Sequence, residues 1–157
     1  SCIEGRMQLV HESPFFVVDY AHSPDALEKA LLALKPLCKG KLWCVFGCGG
    51  DRDKVKRPLM GKIAETYADS CVVTNDNPRS EYPQHIAKAI VQGMTVQDNT
   101  KIILDRADAI KYCFDNASKD DVILVAGKGH EDYQIIDNET RYFSDKEYIL
   151  ELFQSFL

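Results

Sequence analysis

The sequence predicts an α/β fold: one domain on a mostly parallel sheet, helices on both faces, and a C-terminal β-hairpin followed by a helix. Three observations carry this. Short, near-continuous apolar runs alternate with longer stretches whose apolar residues recur at helical spacing, the pattern of strands buried on both faces. Cap and turn residues punctuate the alternation. The chain has 157 residues, 45% hydrophobic and 27% charged, which is enough for one sizeable core and close to the globular norm.

The elements follow in order. Phe15-Phe16-Val17-Val18 is an apolar strand. Ser23 is placed to cap a helix that has Pro24 in its first turn. Leu27, Ala30, Leu31, Leu34 and Leu37 form its apolar face, and Gly40 is expected to end it. Lys41 to Phe46 is the next strand, running into Gly47-Cys48-Gly49-Gly50. Leu59, Met60, Ile63, Ala64 and Tyr67 line a second helix. Cys71 to Thr74 is a third strand, and Ile86, Ala89, Ile90 and Met94 line a third helix. Ile102-Ile103-Leu104 is a fourth strand, followed by a helix with Ala109, Ile110, Cys113, Phe114 and Ala117 inward. Val122 to Ala126 is a fifth strand. Tyr133–Asp137 and Thr140–Phe143 flank Asn138-Glu139 as a hairpin. Ser144-Asp145-Lys146-Glu147 is a capping box opening a last helix, with Tyr148, Ile149, Leu152, Phe153 and Phe156 inward. No linker or long repeat interrupts this single, Rossmann-like pattern.

Charge and cysteine usage narrow the function. A net charge of −5 argues against a general binder of nucleic acid or anionic membrane. The longest apolar stretches are far too short to span a bilayer, and no apolar leader core precedes them. The six cysteines, at 2, 38, 44, 48, 71 and 113, form no C-x-x-C pair. Free, mostly buried thiols in a reducing compartment are expected, and no structural zinc.

In an open α/β sheet, ligands bind beyond the carboxyl ends of the strands. The five loops expected there hold Asp19 to His22, Gly47 to Asp53, Asn75 to Arg79, Asp105-Arg106 and Gly127 to Glu131. Gly47 to Arg52 begins like a dinucleotide fingerprint, but Arg52 stands where its third glycine belongs. Gly127-Lys128-Gly129 lacks the spacing of a phosphate loop, and nothing else in the chain supplies one. Both read either as tight turns or as backbone lying close to a ligand.

Asp76-Asn77-Pro78-Arg79 is sharper. Pro78 fixes its own φ and restricts Asn77, so the turn is stiff. Arg79 can grip a carboxylate bidentately, while Asp76 and Asn77 offer acceptors to an ammonium. A zwitterionic amino acid wants that combination; the plain alternative is an Asn-Pro turn with a surface arginine. Glu131 could serve a second ammonium and Arg52 a second carboxylate, set against a solvated turn residue and a surface ion pair. His22 and His130 share the rim, where hydrogen bonding is favoured over metal ligation. His11 and His85 read as surface residues. Lys54-Val55-Lys56-Arg57 reads as a solvated helix start that raises the potential near Arg52.

Four motifs in order then carry a resemblance: Asp19-Tyr20-Ala21-His22-Ser23-Pro24-Asp25, Phe46 to Lys54, Asp76-Asn77-Pro78-Arg79, and Gly127-Lys128-Gly129-His130-Glu131-Asp132-Tyr133-Gln134. Together they resemble the C-terminal domain of the Mur ligases, in the branch that adds meso-diaminopimelate, from about Gly5 to the end. The resemblance implies an ATP-dependent acid–amino-acid ligase of peptidoglycan synthesis. Such an enzyme joins meso-diaminopimelate to UDP-N-acetylmuramoyl-L-Ala-D-Glu through an acyl phosphate. It implies that Arg52, Asp76, Asn77, Pro78, Arg79, Gly127 and Glu131 hold the incoming amino acid. Asp19 matches a position near the ATP ribose, and Arg6 an inter-domain hinge arginine that reaches the ATP phosphates. No catalytic residue and no metal ligand is carried over. ATP and Mg2+ belong to the full-length enzyme, whose N-terminal and central domains bind the UDP-muramoyl dipeptide and cleave ATP. This domain alone is expected to hold neither cofactor and to be inactive. A monomer in the bacterial cytoplasm, with no nucleic-acid or membrane partner, is the matching expectation.

The whole of residues 1–157 reads as that domain, with residues 1–10 a hinge or a cloning remnant. Gly5-Arg6-Met7 resembles the family hinge, whereas Ile3-Glu4-Gly5-Arg6 also matches a protease site used in expression vectors. Two other readings stand beside it. A freestanding α/β module that binds an amino acid or nucleotide would begin at Met7. Another Mur or folylpolyglutamate-type ligase would share the fold but lack the Asp-Asn-Pro-Arg turn.

Overall fold

A computed structural model describes residues 5–155. Cys2, Ile3, Glu4 and Phe156, all considered above, lie outside the described residues. The described chain runs β1 (Gln8–Glu12), β2 (Phe15–Asp19), α1 (Pro24–Leu34), a 3-10 turn (Lys35–Leu37), β3 (Leu42–Phe46) and α2 (Lys56–Tyr67). It continues β4 (Ser70–Val73), α3 (Pro83–Val91), β5 (Thr100–Ile102), α4 (Arg106–Asn116) and β6 (Val122–Ala126). It ends β7 (Tyr133–Ile136), β8 (Glu139–Tyr142) and α5 (Asp145–Gln154).

The main sheet has six strands in the order β1-β2-β6-β3-β4-β5. All its pairings are parallel except β1 with β2. The expected α/β architecture is therefore present, and β7–β8 form the separate antiparallel hairpin. Strand alternation divides the core. Val17, Cys44, Phe46, Val73 and Leu124 face the layer of α1, α2 and α3, with Leu27, Leu31, Met60 and Ile90. Phe16, Val18, Val45, Val72 and Ile123 face α4 and α5, with Ile110, Cys113, Ile149 and Leu152. Both faces of β3 and β6 are buried throughout, which is why their sequences carry no polar residue.

Several details differ from expectation, each for a physical reason. β1 has no counterpart in the sequence reading, because its residues are half-buried or exposed on an edge and carry little apolar pattern. α1 ends at Leu34 rather than at Gly40, since Pro36 cannot continue the α ladder and the chain tightens into a 3-10 turn. Leu37 is consequently 59% exposed. Gly40 is needed for space instead: a Cβ there would come within 2.2 Å of Asp121 Oδ1. Ala87, not Ala89, lies in the buried stripe of α3. β5 starts at Thr100, before the apolar triplet, because an edge strand tolerates exposed residues. The hairpin turn is Asp137-Asn138, one residue earlier than Asn138-Glu139. Both residues have positive φ, 53° and 58°, which fits a two-residue hairpin turn.

Both serine caps match the sequence, but the return bond of the expected capping box, from the Ser144 N–H to the Glu147 carboxylate, is not made. Ser23 Oγ accepts from the Ala26 N–H at 3.2 Å and Ser144 Oγ from the Glu147 N–H at 3.2 Å. The Glu147 carboxylate accepts from the Tyr142 hydroxyl, tying α5 to the hairpin. Among the described residues no helix is long and apolar enough to cross a membrane. The described cysteines, Cys38, Cys44, Cys48, Cys71 and Cys113, are free, and only Cys38 is not buried.

Two ion pairs organise the rim at the carboxyl ends of the strands. Arg106, at the start of α4, and Asp145, at the start of α5, are both 0% exposed and pair at 2.7 Å. Arg106 also donates to the carbonyls of Asn75 (2.9 Å) and Ala126 (2.9 Å). Arg57 of α2, 3% exposed, donates to both carboxylate oxygens of Glu81 at 3.1 and 2.8 Å and to the Gly49 carbonyl at 3.0 Å. The guanidinium bonds hold the Glu81 carboxyl down at about 2, against 4.5 ordinarily.

Two outcomes follow from these pairs. Asp145→Ala leaves Arg106 buried without its counter-charge, so the domain should lose about 3–5 kcal/mol in urea unfolding. The Glu81 contribution is complete above the unfolded pKa, near 4.5, and lost as pH falls towards about 2. Glu81→Gln should therefore lower stability at pH 7, and the gap from the parent should narrow steadily below pH 4.5, read by urea unfolding at each pH.

Candidate functional site

The loops after β2, β3, β4 and β6 surround a cleft of about 340 Å³. Its walls include Tyr20, Gly49, Arg52, Asp53, Lys56, Asp76, Asn77, Arg79, Gly127 and Glu131, with His22 at one side. Of the seven residues singled out for an amino acid, six line this one space. Pro78, the seventh, is buried just behind it.

The loop after β3 is glycine-rich because it runs against the loop after β4. A Cβ on Gly47 would come within 2.1 Å of the Thr74 carbonyl oxygen, and one on Gly50 within 1.8 Å of the Pro78 carbonyl oxygen. Neither clash can be relieved by a side-chain movement. The Gly50 N–H donates to the Asn77 carbonyl at 2.8 Å. Close backbone approach, rather than a nucleotide fingerprint, accounts for these glycines.

The turn at 76–79 presents its charges in a fixed way. Asp76 has one carboxylate oxygen, Oδ1, buried with no hydrogen-bond partner among the described residues. Burial pushes its carboxyl above the usual range, and the positive charges of Arg106 and Lys128 oppose that rise. Arg79 sits in the left-handed region at φ 54°. Its guanidinium donates to the carbonyls of Gly50 (2.9 Å) and Asn77 (3.4 Å) and makes no ion pair within 4 Å among the described residues. Asn77 is buried, and its carboxamide oxygen already accepts from the Ile135 N–H at 2.9 Å. Its side chain thus shapes the turn, and the ammonium acceptor expected of it is engaged by the hairpin.

Glu131 reaches the cleft from the loop after β6 and accepts from the Tyr20 hydroxyl at 2.8 Å. That bond, more than burial, raises the Tyr20 pKa. Gly127 adopts φ 115°, and a side chain there would point at the Asp76 carboxylate, 3.7 Å away. Arg52 is exposed and donates to the Asp51 carbonyl at 2.9 Å, leaving it on the open side of the cleft.

The two nucleotide candidates lie elsewhere on the rim. Asp19 is 6% exposed, and its oxygens accept from the N–H groups of Met7 (2.6 Å) and Ala21 (2.8 Å). Its carboxylate thus fastens the N-terminal segment to β2. Arg6 is exposed, its guanidinium 5.3 Å from the Tyr20 ring centre, and lies outside the cleft lining. His130 stacks on Tyr20 at 6.2 Å and His22 meets it edge-on at 5.1 Å. Among the described residues no group of three His, Cys, Asp or Glu side chains could hold a metal ion.

Lys128 and Gln134, which belong to the fourth motif, carry no role in the sequence reading. Lys128 is fully buried and donates to the Tyr133 carbonyl; burial lowers its pKa. Gln134, 6% exposed, donates to the carbonyls of Asn75 (3.2 Å) and Asp76 (2.8 Å). A lysine between two glycines and a glutamine in a hairpin strand both look like solvent-facing polar residues. Their place in the motif marks them, but nothing local signals the buried contacts they make.

Comparison with known proteins bears on what this cleft serves. A family model described as "Mur ligase, glutamate ligase domain" matches residues 5–129. UDP-N-acetylmuramoyl-L-alanyl-D-glutamate--2,6-diaminopimelate ligase of Haemophilus influenzae (strain 86-028NP) is 52% identical over 94% of this chain and 30% of its own length. The ligase of the same name from Vibrio vulnificus (strain YJ016) is 55% identical over 91% of this chain and 29% of its own. A solved structure of a ligase of that name superposes with a TM-score of 0.92 at 41% identity, covering 99% of this chain and 32% of that one. A bifunctional folylpolyglutamate synthase/dihydrofolate synthase from Yersinia pestis shares the fold, with a TM-score of 0.64 at 23% identity over 80% of this chain. The chain spans about 30% of the length of the curated relatives it matches. A family model over most of the sequence, and relatives half identical across nearly all of it, place the chain in the Mur ligase family.

Proposed function

We propose that this chain is the amino-acid-binding domain of an ATP-dependent ligase that adds meso-diaminopimelate to UDP-N-acetylmuramoyl-L-alanyl-D-glutamate. The observation that carries the reading is the pairing of opposite unmet charges in one cleft. Asp76 offers an unpartnered buried oxygen, and Arg79 offers a guanidinium that makes no ion pair within 4 Å among the described residues, although its charge is felt by the Asp51 carboxylate. A zwitterionic head answers both at once. Glu131 on one side and Arg52 on the other give a second head, with its own ammonium and carboxylate, somewhere to go. A diamine with only one carboxylate would leave a guanidinium without its counter-charge.

On this reading Arg52, Asp76, Arg79, Gly127 and Glu131 meet the ligand, while Asn77 and Pro78 set the turn. The names of the relatives, which specify 2,6-diaminopimelate, support the same substrate. The chemistry of the ligase is activation of a peptide carboxylate by ATP with Mg2+, followed by attack of the bound amine. This domain's share is to hold that amine in place. The sequence contains no phosphate loop, so ATP cleavage falls to residues outside this chain. Arg6, exposed over Tyr20, is free to reach a nucleotide phosphate. Asp19, buried and with a backbone N–H on each carboxylate oxygen, is better suited to fixing the chain near the nucleotide than to gripping a ribose hydroxyl. A monomeric enzyme of the bacterial cytoplasm completes the proposal, with its hinge in the residues that precede β1, since Gln8, Leu9 and Val10 belong to that strand.

The test is ligation by the full-length enzyme with meso-diaminopimelate and with lysine. Efficient use of lysine would sink the substrate assignment. Arg79→Lys replaces a planar fork by a point charge and should raise the KM for meso-diaminopimelate by about 10- to 100-fold, the worth of a charged hydrogen bond. Unchanged selectivity over lysine in that variant would remove Arg79 from the site. The 157-residue chain alone should show neither ATP hydrolysis nor peptide-bond formation, and either activity in the purified chain would overturn the division of labour.

A further inference from the structure

The two loops that carry the ligand's charges leave strands that are not neighbours. Asp76 and Arg79 follow β4, Glu131 follows β6, and β3 lies between them in the sheet. Sheet hydrogen bonds through β3 fix the two strand ends but not the loops that continue beyond them. What spans the gap is the first half of the β7–β8 hairpin. The Arg79 N–H donates to the Ile135 carbonyl (2.9 Å), the Asn138 N–H to the Arg79 carbonyl (3.1 Å), and the Ile135 N–H to Asn77 Oδ1 (2.9 Å). Each of these meets the loop at or beyond Asn77. At Asp76 itself the link is a single side chain. Gln134 Nε2 donates to the Asp76 carbonyl at 2.8 Å and to the Asn75 carbonyl at 3.2 Å.

We infer that Gln134 is a positioning residue for the incoming amino acid: its buried carboxamide locks the Asp76 loop to the Glu131 loop and so sets the span between the groups that hold the ligand's two ends. The inference rests on the proposed function for the ligand's identity, though not for the lock. The Asp76 peptide is clamped from below as well. Arg106 holds the Asn75 carbonyl, and Gln134 holds the Asn75 and Asp76 carbonyls from the hairpin side. Lys128, bonded to the Tyr133 carbonyl, closes the 128–133 loop on itself, so Glu131 moves with the hairpin rather than apart from it. With Gln134 intact, a ligand meets a preset spacing. Without its donors, the ligand must order the Asp76 peptide on binding, and affinity falls by that cost.

The experiment is steady-state kinetics of the full-length ligase carrying Gln134→Leu and, separately, Gln134→Glu. Leucine keeps most of the volume and removes both donors; glutamate keeps the shape and turns the donor end into an acceptor facing two carbonyls. Both should raise the KM for meso-diaminopimelate at least tenfold, with the KM for ATP and for the UDP-muramoyl dipeptide changed less than twofold. A merely structural residue would give the opposite split: the active fraction and apparent kcat would fall while all three KM values held. That result, or a KM for the amino acid unchanged in both variants, overturns the inference. If neither variant folds, Gln134→Asn keeps the amide one methylene short of the carbonyls and should show the same selective rise. If the parent enzyme turns over a different amino acid, the substrate reading fails on the parent alone, and the variant-to-parent ratio is taken with that amino acid.

Discussion

Everything at the binding rim depends on one buried guanidinium. Arg106 makes four hydrogen bonds, two to Asp145 and one each to the carbonyls of Asn75 and Ala126. Through them it joins the start of α4, the start of α5, the end of β6 and the loop after β4. Burying such a charge is costly, and it is tolerated because each nitrogen of the planar fork meets an acceptor. Replacing the pair by apolar residues could leave a stable core. It would leave two loop carbonyls without a donor and the rim without its floor.

The cleft above that floor is assembled from unlike parts. Its backbone geometry comes from glycines that let two loops touch and from a proline that stiffens one of them. Its charges come from side chains at the loop tips. Its spacing comes from a hairpin that contributes no charge of its own. The fold is shared with a folylpolyglutamate synthase/dihydrofolate synthase at 23% identity, and a shared scaffold does not by itself fix the ligand. The scaffold sets where a ligand can lie, and a few loop residues decide which ligand it is.

Most of the fold was legible because its strands are buried on both faces and its helices are capped by recognisable residues. β3 and β6 declare themselves by the absence of anything polar, and Ser23 and Ser144 mark helix starts by chemistry that works locally. The edge strands were read poorly for the converse reason: β1 and the start of β5 pair on one side and face solvent, so their sequences are free to look like loops. In the site, residues with an unmet charge were visible and those with a supporting task were not. Asp76 and Arg79 stood out because their local sequence is stiff and oppositely charged. Gln134 and Lys128 did not, because their importance lies in contacts with residues distant in the chain, which no local pattern encodes. Asn77 shows the limit in between: its presence was noticed, while its engagement by Ile135 needed the tertiary structure.

The backbone at Arg79 has φ 54°, a region that costs little for glycine or asparagine and more for a long or branched side chain. Arginine already bears that cost, as any other unbranched residue would; glycine or asparagine would relieve it and a β-branched residue would add to it. The residues that would relax this corner are therefore ones without a cation. On the proposed reading, the backbone tension at Arg79 is the standing cost of placing a guanidinium at the tip of the turn, carried by the folded chain whether or not a ligand is bound.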